Sequence, residues 1–123
     1  MKEEGIKKEL VKYLFAKMKI NPNNLEWEYG KVENFCGKKL LDKNNGSLKL
    51  VKVKPKAIYP THKHPYKTEF IYVLEGNPVI TIAEKKYSVK KDEFFLLTNN
   101  INNVIENKNK KVECLLLVGS IKI

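Results

Sequence analysis

The chain is 123 residues long, 42% hydrophobic and 31% charged, enough for one domain around one core and too little for two. Its net charge of +10 is carried by lysine alone, without one arginine, and the lysines alternate with apolar residues; this argues against arginine-based readout of phosphates and bases and for a solvated basic surface. No run approaches the roughly 20 apolar residues of a membrane span, lysines at positions 7, 8, 12 and 17 break up any leader-like stretch, and two cysteines are too few for a disulfide framework, so the expected address is cytoplasmic, with free thiols.

Glu3 to Ile20 is predicted to be the one helix. Ile6, Leu10, Leu14 and Met18 recur every four residues, and Val11, Tyr13 and Phe15 widen the stripe. Glu3 and Glu4 suit the positive end of the helix dipole, Lys17 and Lys19 the negative end, and Asn21-Pro22 stops it. Such a helix is expected to pack against the outside of the domain or across a dimer interface. The division is therefore a helix over 1–20 and a β domain over 21–123.

Leu25, Trp27 and Tyr29 alternate with glutamates and suggest a short strand, with Trp27 as a packing anchor. From Lys38 onward the pattern is all-β. Asp42 to Ser47 is a turn-rich hairpin loop. The alternation slips at Leu50-Val51, which signals a bulge or a strand covered on both faces. Ala57 to His64 and Thr68 to Leu74 are the next two strands. Shorter ones follow at Val79–Ile82, Tyr87–Val89, Glu93–Leu97 and Ile101–Ile105, and Val112 to Ile123 closes the set with a bend at Gly119. Many short strands joined by tight turns indicate a sandwich or barrel.

Both histidines of the chain fall in one stretch. His62 and His64 are two apart, so an extended backbone points them to one side. Pro65 interrupts the ladder, and Glu69 at the start of the next strand brings a carboxylate back to the same point. Two imidazoles and a carboxylate are the ligand set of non-haem metal centres and suit Fe, Mn, Ni, Co or Zn. Tyr66, Thr68 and Tyr72 lie close enough in sequence to support the ligands or line a pocket. Cys114, in an apolar run, is a small core residue or a thiol at that pocket.

The spacing His-x-His, four residues, Glu, six residues, Gly on His62, His64, Glu69 and Gly76 resembles the first cupin motif. That pattern opens with a glycine six residues before the first histidine, where this chain has Lys56. The second cupin motif is degenerate. With Lys91-Asp92 on its opening Gly-Asp turn, Thr98 falls at its proline, Asn100 at its glycine, Asn103 at its histidine and Asn107 at its final asparagine. Strand parity sets Asn103 inward with Ile101 and Ile105, leaving Asn102 and Glu106 to water.

The resemblance implies a double-stranded β-helix, or jelly-roll barrel, with one helix outside, commonly paired as a homodimer. It also implies a divalent metal on His62, His64 and Glu69. Asn103 stands where the third histidine belongs and offers only an amide oxygen. Two functions follow. One is metal-assisted chemistry of oxygenase, isomerase or lyase type on a small oxygen-rich metabolite. The other is a non-catalytic pocket that binds a sugar or another small organic ligand, with a degenerate or empty metal site. No nucleic-acid-binding signature is present, and neither a membrane nor a specific nucleic acid is an expected partner.

Overall fold

The structure, a computed structural model, describes residues 19–123. The helix expected over Glu3–Ile20 falls outside them, except for Lys19 and Ile20, which are in no regular element. A single 3-10 turn, Pro22–Asn24, comes first, and Asn21 caps it by accepting from the Asn23 N–H. Ten strands follow: β1 (Glu28–Tyr29), β2 (Phe35–Lys43), β3 (Gly46–Val53), β4 (Ile58–His62), β5 (Lys67–Glu75), β6 (Val79–Ile82), β7 (Lys85–Ser88), β8 (Phe94–Leu97), β9 (Asn103–Glu106) and β10 (Cys114–Lys122).

The strands form a six-stranded sheet in the order β1-β2-β3-β10-β5-β8 and a four-stranded sheet in the order β4-β9-β6-β7. Every pairing is antiparallel. Alternation decides which side chains enter. On β10, Cys114, Leu116 and Val118 are buried against the opposite sheet, while Leu115 and Leu117 face away. Ile71 and Val73 of β5, Val53 of β3, and Ile80 and Ile105 from the smaller sheet complete the core. Burying an aliphatic side chain fully is worth about 1.5–3 kcal/mol, so this layer holds the two sheets together.

The β2–β3 hairpin turns on Asn44-Asn45 alone, with Lys43 opposite Gly46. The bulge expected at Leu50-Val51 lies instead in β2, where Lys39 and Leu41 oppose the consecutive residues Lys49 and Leu48. β3 keeps unbroken register with β10; Leu50 and Val51 face opposite sides of a strand paired on both edges. Gly119, where a bend was expected, lies within the continuous pairing of β10 with β3 and β5. Gly119 lacks a side chain because the Phe70 ring lies over it; a Cβ there would sit 2.1 Å from the ring.

The interior is graded along the strands. At one end the inward positions are Phe35, Val53, Cys114 and Val73. This end is closed by Asn107, whose buried amide donates to the carbonyls of Val53, Lys54 and Val112 and accepts from the Asn109 N–H. The asparagine that ends the second motif is thus a structural bracket. At the other end the same columns become Lys39, Lys49, Val118 and Ile71, then Ser47, Ser120 and Glu69, with Lys67 one inward step beyond Glu69. The Ser47 and Ser120 hydroxyls bond each other at 2.8 Å.

Candidate metal centre

His62 ends β4, and a bulge aims it. Between Tyr59 and His62 the chain takes three steps while its partner β9 takes two, from Ile105 to Asn103. Strict alternation would place residues three apart on opposite faces. The extra residue restores His62 to the inner face occupied by Tyr59, and bulges beside functional sites commonly re-aim a side chain this way. His64 lies just past the strand, not on it as the sequence suggested, because Pro65-Tyr66 begins the turn into β5. Glu69 comes from β5, on the face that carries Ile71 and Val73.

Each of His62, His64 and Glu69 offers one ligand atom, and the three atoms lie within 4.8 Å of one another. Ligands held about 2.0–2.2 Å from one ion sit roughly 3–4 Å apart, so small side-chain rotations would bring these onto a common centre. The His62 and His64 rings meet at 5.2 Å, nearly edge to face, and Tyr59 packs on His62 at 4.5 Å.

The His62 ring is already oriented. Its Nδ1 lies 2.9 Å from the Pro60 carbonyl oxygen. A carbonyl only accepts, so Nδ1 carries the proton and Nε2 keeps its lone pair, the arrangement a metal-ligating histidine needs. His64 Nε2 meets Glu69 Oε1 at 2.7 Å. Burial pushes the His64 imidazolium below its ordinary range; Glu69 opposes that, and Lys67, His62 and Lys49 push it further down. A neutral imidazole is the form that ligates.

Asn103 sits opposite His62 in the β4–β9 ladder and is buried on the inner face with Ile105, as parity predicted. Its Nδ2 donates to the carbonyls of His62 and Ile101, both at 3.4 Å. Its Oδ1 is buried and has no hydrogen-bond partner among the described residues. Asn103 does not line the adjoining cavity.

That cavity, of about 370 Å³, has His62, His64 and Glu69 on its wall. Phe35, Val51, Tyr59, Ile105, Leu116 and Val118 make the apolar part. Phe94 and Phe95 do not line it: Phe94 is exposed on the outer face and Phe95 packs on Tyr87. Lysines also line it, a feature the sequence reading missed. Their signal was parity, since Lys49 lies two residues from Val51 and four from Val53 on one face of β3.

Four candidates do not meet the site. Tyr66 is 80% exposed on the turn after Pro65. Thr68 and Tyr72 alternate out of phase with Glu69 and point to the outer face, where the Tyr72 hydroxyl donates to Asp92 at 2.9 Å. Cys114 is inward but at the closed end: Glu69 pairs with Ser120, six residues further along β10, or about 20 Å away. Burial raises the Cys114 thiol pKa, which makes it inert packing.

A family model described as "Cupin domain" matches residues 49–119, more than half of the chain. No curated protein matches. Among solved structures, a predicted oxalate decarboxylase from Thermotoga maritima superposes with a TM-score of 0.78 at 19% identity, covering 85% of this chain and 99% of that one. The polyketide cyclase RemF from Streptomyces resistomycificus gives 0.75 at 20% identity, with 84% and 78% covered. A sugar phosphate isomerase from Silicibacter pomeroyi gives 0.74 at 15% identity, with 85% and 76% covered. At these identities the likeness is one of fold, and with the family match, the two-sheet topology and the His-x-His…Glu corner together, the chain belongs to the cupin family.

Proposed function

We propose that the chain binds a divalent metal ion through His62, His64 and Glu69 and presents it to the adjoining cavity, where a small oxygen-rich metabolite is held. The carrying observation is a ligand set already drawn together, its three donor atoms within 4.8 Å, with the His62 proton tied to the Pro60 carbonyl. The donors suit Fe, Mn, Ni, Co or Zn. When bound, such an ion supplies Lewis acidity toward a substrate oxygen. The chain's own residues orient and enclose: Tyr59 backs His62, and Ile105, Leu116 and Val118 keep water from the apolar wall. Asn103 enters as the fourth donor through its unpartnered Oδ1; a buried oxygen without a partner costs about 1–3 kcal/mol, which a cation beside it relieves. Oxygenase, isomerase and lyase chemistries are all compatible with this arrangement.

One observation favours a second reading. His64 Nε2 and Glu69 Oε1 lie 2.7 Å apart, so these two groups can satisfy each other. In that reading the cavity is a non-catalytic pocket for a sugar or similar small organic molecule.

Elemental mass spectrometry on untagged protein, purified without chelators, separates the two. Near-stoichiometric metal in the parent and none in His62→Ala/His64→Ala supports the metal centre. No metal in either, after reconstitution with Fe, Mn, Ni, Co and Zn, leaves the organic-ligand pocket. Asn103→His then tests the fourth position. Unchanged metal affinity removes Asn103 from the centre.

A further inference from the structure

We infer that the mouth of the cavity is an anion subsite in which Lys39, Lys49 and Lys67 hold a carboxylate or phosphate group of the ligand. The inference deepens the cavity reading above, and its lysine half stands without the metal.

The first observation is a like-charge pair. Lys39 and Lys49 are direct cross-strand partners of β2 and β3, and both line the cavity. Like charges directly opposite in a sheet are destabilising. Two steps deeper on the same face the positions are Gly37 and Val51, and two steps further Phe35 and Val53. The repulsion arises where the interior opens to the ligand space.

The second observation is charge balance. Lys31, Lys39, Lys49 and Lys67 line the cavity against Glu28 and Glu69. Glu69 is engaged with His64. Asp42 lies 3.8 Å from Lys39, but both side chains are 65% exposed, and exposed pairs contribute little. Among the described residues Lys49 and Lys67 make no ion pair. A concave, partly apolar wall concentrates this positive potential.

The third observation is placement. Lys67 precedes Glu69 by two residues on the same face of β5. Lys49 is level with Ile71 through Val118, so it stands two strands across and two residues along from Glu69, about 12 Å between backbones, and two strands across and four residues along from Lys67, about 16 Å. The two extended lysine side chains together span most of the longer distance. An anion on the lysines therefore lies within a few bonds of His62, His64 and Glu69, so the ligand is a small organic acid or phosphate ester. An ammonium is a point charge without the planar fork of a guanidinium, so the subsite selects charge and size and accepts either anion.

The test is calorimetric titration of the metal-free protein, at constant ionic strength, with malonate, inorganic phosphate and glucose. Malonate or phosphate is expected to bind and glucose not. Lys49→Gln and Lys67→Gln should each weaken the anion about tenfold, the loss of one charge-assisted hydrogen bond, and Lys39→Gln/Lys49→Gln more. Lys108→Gln, outside the cavity, should change nothing. Tighter phosphate assigns a phosphate ester, and tighter malonate a carboxylic acid. Anion binding equal in Lys108→Gln and the cavity variants, or absent in the parent, overturns the inference. Lysine-dependent binding in a protein that retains no metal leaves the inference standing and removes the metal centre. Metal bound at His62 and His64 with no anion binding does the reverse.

Discussion

The two ends of the barrel interior are built from the same strands and differ in what those strands carry. At the closed end the inward residues are apolar, and the one polar side chain there, Asn107, fills its hydrogen bonds with backbone carbonyls and an N–H. At the open end the inward residues are His62, His64, Glu69, Lys39, Lys49 and Lys67, with like charges adjacent and one buried amide oxygen unpaired. The first arrangement lowers the energy of the folded chain by itself. The second leaves interactions unsatisfied that an ion and an anion could complete. Stability and binding are therefore separable along one axis of the molecule, and substitutions at the two ends should have different consequences.

The largest effect on stability is expected at the closed end. Val53 is fully buried there and does not line the cavity, and Val53→Ala should cost about 2 kcal/mol, its lost transfer energy plus the cavity it leaves. Urea unfolding measures this, and metal retained per folded molecule should not change. A loss of metal at full folding would mean that the two ends are coupled.

The complementary change is His62→Ala/His64→Ala. Neither ring belongs to the apolar core, so the unfolding free energy of the metal-free protein should move by less than about 1 kcal/mol. Metal affinity should fall more than about 100-fold, beyond the usual loss for outer-shell partners. A variant unfolded by circular dichroism would make the histidines structural and dissolve the contrast.

A third change touches neither end's chemistry. Lys56 has φ of 66°, the left-handed conformation in which a side chain is strained and glycine is not. Lys56→Gly should raise stability by about 1 kcal/mol in urea, with metal affinity unaltered. It would also restore the glycine with which the family motif opens. Unchanged or lower stability would show that Lys56 makes a compensating contact.

The smallest effect is the pH response, which should belong to the open end alone. The folded-state pKa of His64 is lowered, mainly by burial. The unfolded chain therefore binds the proton more readily, and stability falls as pH drops through about 6.5 towards the folded value. Metal affinity should fall at the lower edge of that window, as pH approaches the lowered folded-state value, because the ligating form is neutral. His64→Gln should flatten the stability profile. A slope that survives in that variant would place the titrating group elsewhere.

Much of the site was legible in the sequence because its information is local. His62 and His64 are separated by one residue, and Glu69 by one turn, so spacing alone suggested three converging donors. Asn103 was set on the inner face by parity, since the other register exposes Ile105 and buries Glu106. The errors were of another kind. Tyr66, Thr68 and Tyr72 were nominated by closeness in sequence, but alternation and a turn send them outward. Lys39 and Lys49 are ten residues apart, and only the hairpin pairing sets them side by side.

By itself, then, the sequence determined the all-β class, a hairpin turn within Asp42–Ser47, the candidate ligand triplet and the inward face of the strand that carries Asn103, because strand periodicity and turn chemistry act over a few residues. Only the tertiary structure decided where bulges fall, which end of the barrel is closed, and that three lysines meet the histidines at the same mouth. Those depend on pairing between distant strands. A one-residue shift in such a pairing reverses the face of every side chain beyond it, and the local pattern of one strand carries no record of its partner's register.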